Sequence, residues 1–157
     1  MPNREDIVRE AAEWEGTRWV HQQSLKGVAA DCEGFLEGVA SNCDVPVLVE
    51  VVRNYRRRED GSLMLRLLEE ALDFVTGSEL REPPDMSGVM LADVIAFCDE
   101  KLFEPNKPKH LGLLTRIRAD GVLYVTHASE RGVVKHRLSY EWLRRIHSVW
   151  RIRDLDG

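Results

Sequence analysis

An α+β fold, with helices first and an antiparallel sheet second, is predicted by three features of the 157-residue sequence. Apolar residues recur at helical spacing as far as Val75. Beyond "GSELREPPDMSG" the chain breaks into short runs rich in β-branched and aromatic residues, set apart by turn residues. The two patterns follow one another and do not alternate, which argues for α+β over a repeating α/β sheet.

The elements follow in order. Asn3 is a helix cap, with Asp6 three residues on and Ile7, Val8, Ala11 and Ala12 on one face; Gly16 ends this helix. "TRWVHQQSLKGVAA" reads as a loop. Asp31 is the next N-cap, and Cys32, Phe35, Leu36, Val39 and Ala40 follow at helical spacing, with Glu33 and Glu37 on another side. Gly34 and Gly38 leave room for close packing against this helix. "YRRREDGS" is a polar break. Met64, Leu67, Leu68, Ala71, Leu72 and Val75 mark a third amphipathic helix. "DVIAFCD", "HLGLLTRI", "GVLYVTHAS", "GVVKHRLS" and "IHSVWRIRD" then form a meander of about five antiparallel strands, with turns such as "RADG" and "SERG". Pro105 and Pro108 bracket a loop before His110. No repeat or second domain is evident, so residues 1–157 read as one domain.

Composition narrows the function. A net charge of -5 argues against a nucleic-acid partner. No apolar run approaches the roughly 20 residues of a membrane span. "MPNREDIVREAAEW" has no apolar core and is not expected to act as a secretory signal. Three cysteines, Cys32, Cys43 and Cys98, are too few for a disulfide framework and are expected as free thiols.

Cys32 stands at the first position of its helix. Unpaired N–H groups and partial positive charge there favour a thiolate, the reactive form of cysteine, and the same N–H groups suit an oxyanion. The alternative is a buried thiol acting as a small hydrophobe. A nucleophilic cysteine needs a base, and the base an orienting partner. His110 opens one strand and His127 closes the next. Each lies about eight residues from a turn centred near Ala119, so antiparallel pairing brings the two imidazoles almost level. His21 lies in the loop before Cys32 and is placed to line the same cleft. His136 and His147 read as exposed strand residues, and Cys98 as core. A zinc site of Cys32, His110 and His127 has permissible ligands but lacks the paired spacing of common zinc motifs. No metal is therefore assigned, and there is no glycine-rich phosphate loop.

Taken together, "AAEWEGTRWVHQQSLKGVAADCEGFLEGV", "LADVIAFCD", "PKHLGLLT", "YVTHASERGVVKHRL" and "WLRRIHSVWRIR" resemble the NlpC-type cysteine peptidases, papain-like cell-wall hydrolases. The likeness is strongest to the branch found in tails of bacteriophages and gene-transfer agents, to which "HQQSLKG" points. The resemblance implies a papain-like fold with Cys32 as nucleophile, His110 as general base and His127 as the residue that orients it. Trp19, His21 and Asp31, on the approach to the nucleophile, become substrate-binding candidates. "GTRW" puts Trp19 where many members have a tyrosine, and Glu33 follows the cysteine where many have serine.

The family acts on peptidoglycan stem peptides, often between D-glutamate and a diamino acid, without a cofactor. The branch implies a virion protein of the tail tip, assembled in the host cytoplasm beside other tail-tip or hub proteins. Two rivals remain at this level. One is a structural tail-hub or assembly protein with a masked or inactive site. The other is an acyltransferase using the same thioester chemistry.

Overall fold

A capping box opens the chain: the Asn3 side chain accepts the Asp6 N–H at 2.8 Å, and the Asp6 carboxylate accepts the Asn3 N–H. The computed structural model describes residues 2–56, 61–78, 80–99, 108–153 and 155–157. Part of the "RRRED" run and Pro105 lie outside the described residues.

Helix α1 (Arg4–Glu13) buries Ile7 and Ala11. Three two-residue strands follow, β1 (Arg18–Trp19), β2 (Ser24–Leu25) and β3 (Ala29–Ala30), in the order β1-β3-β2. The segment read as a loop is thus a small sheet. Helix α2 (Cys32–Asn42) is capped by Asp31, which accepts the Gly34 N–H at 2.7 Å. Trp14 packs on this helix so closely that a Cβ on Gly38 would overlap its indole. The close approach expected at the small residues of α2 is met by that ring.

Helix α3 (Pro46–Arg56) has no counterpart in the sequence reading. Helix α4 (Gly61–Ala71) carries Met64, Leu67, Leu68 and Ala71, whereas Val75 belongs to strand β4 (Asp73–Gly77). The helical spacing of Val75 is therefore accidental, whereas Leu72, just past the helix end, still donates its N–H to the Leu68 carbonyl and is buried with Met64 and Leu68. Val75 joins an edge strand whose partner lies far along the chain.

The second half forms β5 (Val94–Phe97), β6 (His110–Ile117), β7 (Leu123–Ser129), β8 (Gly132–Arg137), the short helix α5 (Tyr140–Leu143) and β9 (Ile146–Arg151). The five sequence-predicted strands are all present. Strand order is β4-β9-β5-β6-β7-β8, and every pairing is antiparallel. Only β5 to β8 form a meander; β9 returns to lie between β4 and β5, making six strands. The fold is α+β.

Alternation along the strands divides the core. Val94, Ala96, Leu111, Leu113 and Ala128 face the helices with Phe35, Leu36, Leu48 and Leu68. Ile95, Phe97, Leu114, Val125 and Val149 face the other way, under Trp142 and Leu143. Buried Asp93, just ahead of β5, links α1 to β9. It takes two hydrogen bonds from Arg151, at 2.8 and 3.1 Å, and Arg4 lies 3.7 Å away. Among the described residues no helix is long and apolar enough to cross a membrane.

Candidate active site

The site forms where the first turn of α2 meets the opening of β6. Helix α2 packs on both β6 and β7. Ladder pairing of β6 with β7 begins at Leu113↔Thr126, short of His110 to Gly112. At that opening the Leu111 backbone hydrogen-bonds the Cys32 sulfur.

The thiol is buried and its pKa is raised well above the usual thiol range. Burial is the largest cause. Next come the charge of Glu33 and a hydrogen bond to its side chain, which hold the proton on sulfur; the Leu111 bond pulls the other way. The expected activation by the helix N-terminus is therefore outweighed. Glu33, which the sequence places next in line but diverging around the helix, reaches the sulfur after all.

His110 and His127 do come together. His110 Nε2 lies 2.5 Å from His127 Nδ1, with the rings edge to face at 4.7 Å. They are not level, however. Carried one step beyond Leu113↔Thr126, the register sets Gly112 opposite His127. The turn is bounded by Ile117↔Leu123 and so centres on Asp120, one residue later than the sequence suggests. A shift in register between Leu114 and Arg116 takes part of that offset back. The rings meet on the diagonal, across the position where Gly112 has no side chain.

Burial, then the Arg145 charge and the electrostatic influence of the neighbouring His136, push His110 down to about 4. Burial, with His110 and His136, pushes His127 down to about 2. Both rings are neutral at pH 7. With a neutral thiol at Cys32, the resting state is an uncharged set, not a thiolate–imidazolium pair.

A third imidazole continues the row. His127 Nε2 lies 2.8 Å from His136 Nε2, and His136 Nδ1 lies 2.9 Å from the Arg137 carbonyl. His136 is half-buried, contrary to the exposed position expected of it. The sequence did carry a signal: Val125 pairs with His136 and His127 with Val134, so strand alternation puts His127 and His136 on one face. His147 is also buried, against the Ser148 hydroxyl at 2.8 Å, because β9 is an interior strand. Cys98 is core, as expected. Cys43 is half-buried; burial, then the charges of Glu10 and Asp6, push its thiol up to about 11.

A cleft of about 830 Å³ opens over the imidazoles, lined by Trp19, His110, His127, His136, Trp142 and Arg145 among others. Trp142 packs against the row, edge-on to His127 at 5.1 Å and tilted against His136 at 4.8 Å, and the Arg145 guanidinium lies over the Trp142 ring at 4.2 Å. Trp19 reaches the cleft because the N-terminal segment is stitched to β8: the Gly16 N–H donates to Val133 and the Val133 N–H to Thr17.

The remaining candidates gather at the start of α2. His21 is exposed, 3.9 Å from Asp31 and beside the Trp19 ring at 6.4 Å. Asp31 is buried, its two oxygens accepting the Gly34 and Gln22 N–H groups. Cys32 enters the site from the helical side of the sheet and is not a wall of the imidazole cleft. Among the described residues no group of three or more histidine, cysteine or acidic side chains is arranged to hold a metal ion.

The site thus holds a thiol at a helix N-terminus, a neutral imidazole one residue along the strand from the thiol's backbone contact, and a second imidazole in contact with the first. These are the side-chain types that a nucleophile, a base and an orienter require. The chain matches no protein-family model and no curated protein.

Proposed function

We propose that the protein is a thiol-dependent endopeptidase of NlpC type, with a papain-like fold, that cuts peptidoglycan stem peptides. The bond between D-glutamate and a diamino acid is the expected target, and a phage tail tip the expected location, beside other tail-tip or hub proteins. The observation that carries this reading is the 2.5 Å contact between His110 and His127 at the point of β6 where Cys32 meets the neighbouring Leu111 backbone. The sequence resemblance supplies the substrate class.

In the proposed cycle the sulfur leaves Glu33 for His110, which takes the thiol proton as the sulfur attacks an amide carbonyl. The carbonyl electron pair moves to oxygen, facing the backbone N–H groups of the first turn of α2. Collapse breaks the C–N bond, and the departing amine takes the proton from His110. Water, deprotonated by His110, then attacks the thioester, releases the acid and restores the thiol. Because thiol and imidazole begin neutral, His110 acts as a true general base and not as half of a preformed ion pair.

The test is digestion of purified sacculi followed by mass spectrometry of the released peptides. Wild-type protein releases stem-peptide fragments with one consistent new end. Cys32→Ala releases none while keeping its circular dichroism spectrum. Equal release by the variant refutes the nucleophile.

One observation favours a second reading. Trp19, Val20, Leu25 and Val28, just ahead of the nucleophile, are exposed apolar residues. A tail-hub subunit whose neighbours cover this surface and mask a silent site would also present them. Absence of sacculus cleavage by the wild-type protein selects that reading.

A further inference from the structure

We infer that His136, locked by the Arg137 carbonyl, sets the tautomers of the whole imidazole row and thereby leaves His110 Nδ1 as the proton-accepting nitrogen. A neutral imidazole carries one N–H and one lone pair. A carbonyl oxygen only accepts, so the 2.9 Å contact to Arg137 requires the proton of His136 on Nδ1. Its Nε2 is then an acceptor, and His127 Nε2, at 2.8 Å, must donate to it. The Nδ1 of His127 is left as an acceptor for His110 Nε2–H, at 2.5 Å. The chain of donors ends with the His110 lone pair on Nδ1. For three neutral rings no other order gives every contact one donor and one acceptor.

Geometry makes the row rigid. Strands β7 and β8 pair without a break from Tyr124↔Arg137 to Ser129↔Gly132, which fixes His127 and His136 on adjacent strands. Trp142 packs against both rings. A glycine at position 112 leaves the His127 Cβ uncrowded, where a methyl group would come within 3.2 Å. The same contacts rule against a metal among the three rings, since each inner nitrogen is spent on its neighbour.

His136 touches neither the sulfur nor the site of bond cleavage, so it is a positioning residue. Its effect on turnover rests on the hydrolase reading, but the tautomer order does not. The test therefore has two arms. In the first, long-range ¹H–¹⁵N correlation spectra of the imidazoles are recorded at pH 8, above the ordinary histidine range of about 6.5. The expected pattern is Nδ1–H for His136 and Nε2–H for His127 and His110. A proton on His110 Nδ1 in the wild-type protein overturns the inference outright. His136→Leu, which removes the acceptor, should turn the single tautomer of His127 into a mixture. His136→Gln, whose amide oxygen accepts, should restore the wild-type pattern. Unchanged His127 and His110 signals in the leucine variant also overturn it. If the leucine variant does not fold, His136→Lys, a donor only, replaces it and should reverse the order.

In the second arm, sacculus turnover by His136→Leu should fall about 10- to 100-fold in kcat, the range between losing an orienting contact and losing a base, with KM little changed. His136→Gln should recover most of it. Correct spectra with no wild-type cleavage would sink the hydrolase and leave the tautomer order standing.

Discussion

Gly112 stands opposite His127, and a Cβ at position 112 would come within 3.2 Å of the His127 Cβ and 2.8 Å of Val125 Cγ2. A side chain there would crowd the stem of His127, the ring that meets His110.

Gly112→Ala should therefore cost about 1–3 kcal/mol of stability, the usual penalty for overpacking a filled core. Urea denaturation measures it. Sacculus cleavage should fall further than the loss of folded protein explains, because the methyl group displaces His127.

Glu33 holds the proton on Cys32. Removing its charge should lower the thiol pKa and speed alkylation. Iodoacetamide labelling of Cys32, followed by mass spectrometry, should be slow at pH 8 in the wild-type protein and continue to rise above pH 9. Glu33→Gln should label faster at every pH. Equal rates would remove Glu33 from the account of the buried thiol.

Acid should destabilise the protein through its imidazoles. The folded pKa of His110 is depressed to about 4 from an ordinary 6.5, so the unfolded chain takes up the proton first. The unfolding free energy should fall as pH drops below 6.5 and the His110 contribution should level off near 4. His127, depressed further, should extend the fall to lower pH. Urea midpoints at several pH values between 7 and 4 measure this, and His110→Gln should flatten the slope.

Asp93→Ala should be severe. Its carboxylate is fully buried and takes Arg151 twice. Breaking a buried pair by removing one partner costs about 3–5 kcal/mol, because the other charge is left without compensation. Thermal unfolding should show a lower Tm, and Arg151→Met, which removes the opposite charge, should lower it too.

What the sequence revealed follows from how local each signal is. Strands β5 to β9 were legible because each is a β-rich run closed by turn residues, and Gly121 and Gly132 take the positive φ values their turns need. The caps of α1 and α2 were legible because Asn3 and Asp31 act within three residues. Helix α3 was missed because "PVLVEVVRNYR" is rich in β-branched valine and lacks a polar cap. Val75 was misassigned because β4 is defined by β9, over seventy residues later in the numbering. The pairing of His110 with His127 was visible in the hairpin, but its offset depended on the turn centre. His136 was set aside as exposed because the cover of Trp142 comes from α5, after the strand ends. The protonated state of Cys32 was hidden because adjacency along a helix does not reveal which way a glutamate bends.

The placement of β9 between β4 and β5 bears on synthesis. While Ile146–Arg151 are still inside the ribosome, β6, β7 and β8 can zip together, since each follows the last across a short turn. The central sheet cannot close, and β4 has no neighbour to join. Completion of the sheet is thus deferred until Ile146–Arg151 have emerged, and a nascent chain that already carries Cys32, His110, His127 and His136 still lacks an interior strand of its sheet.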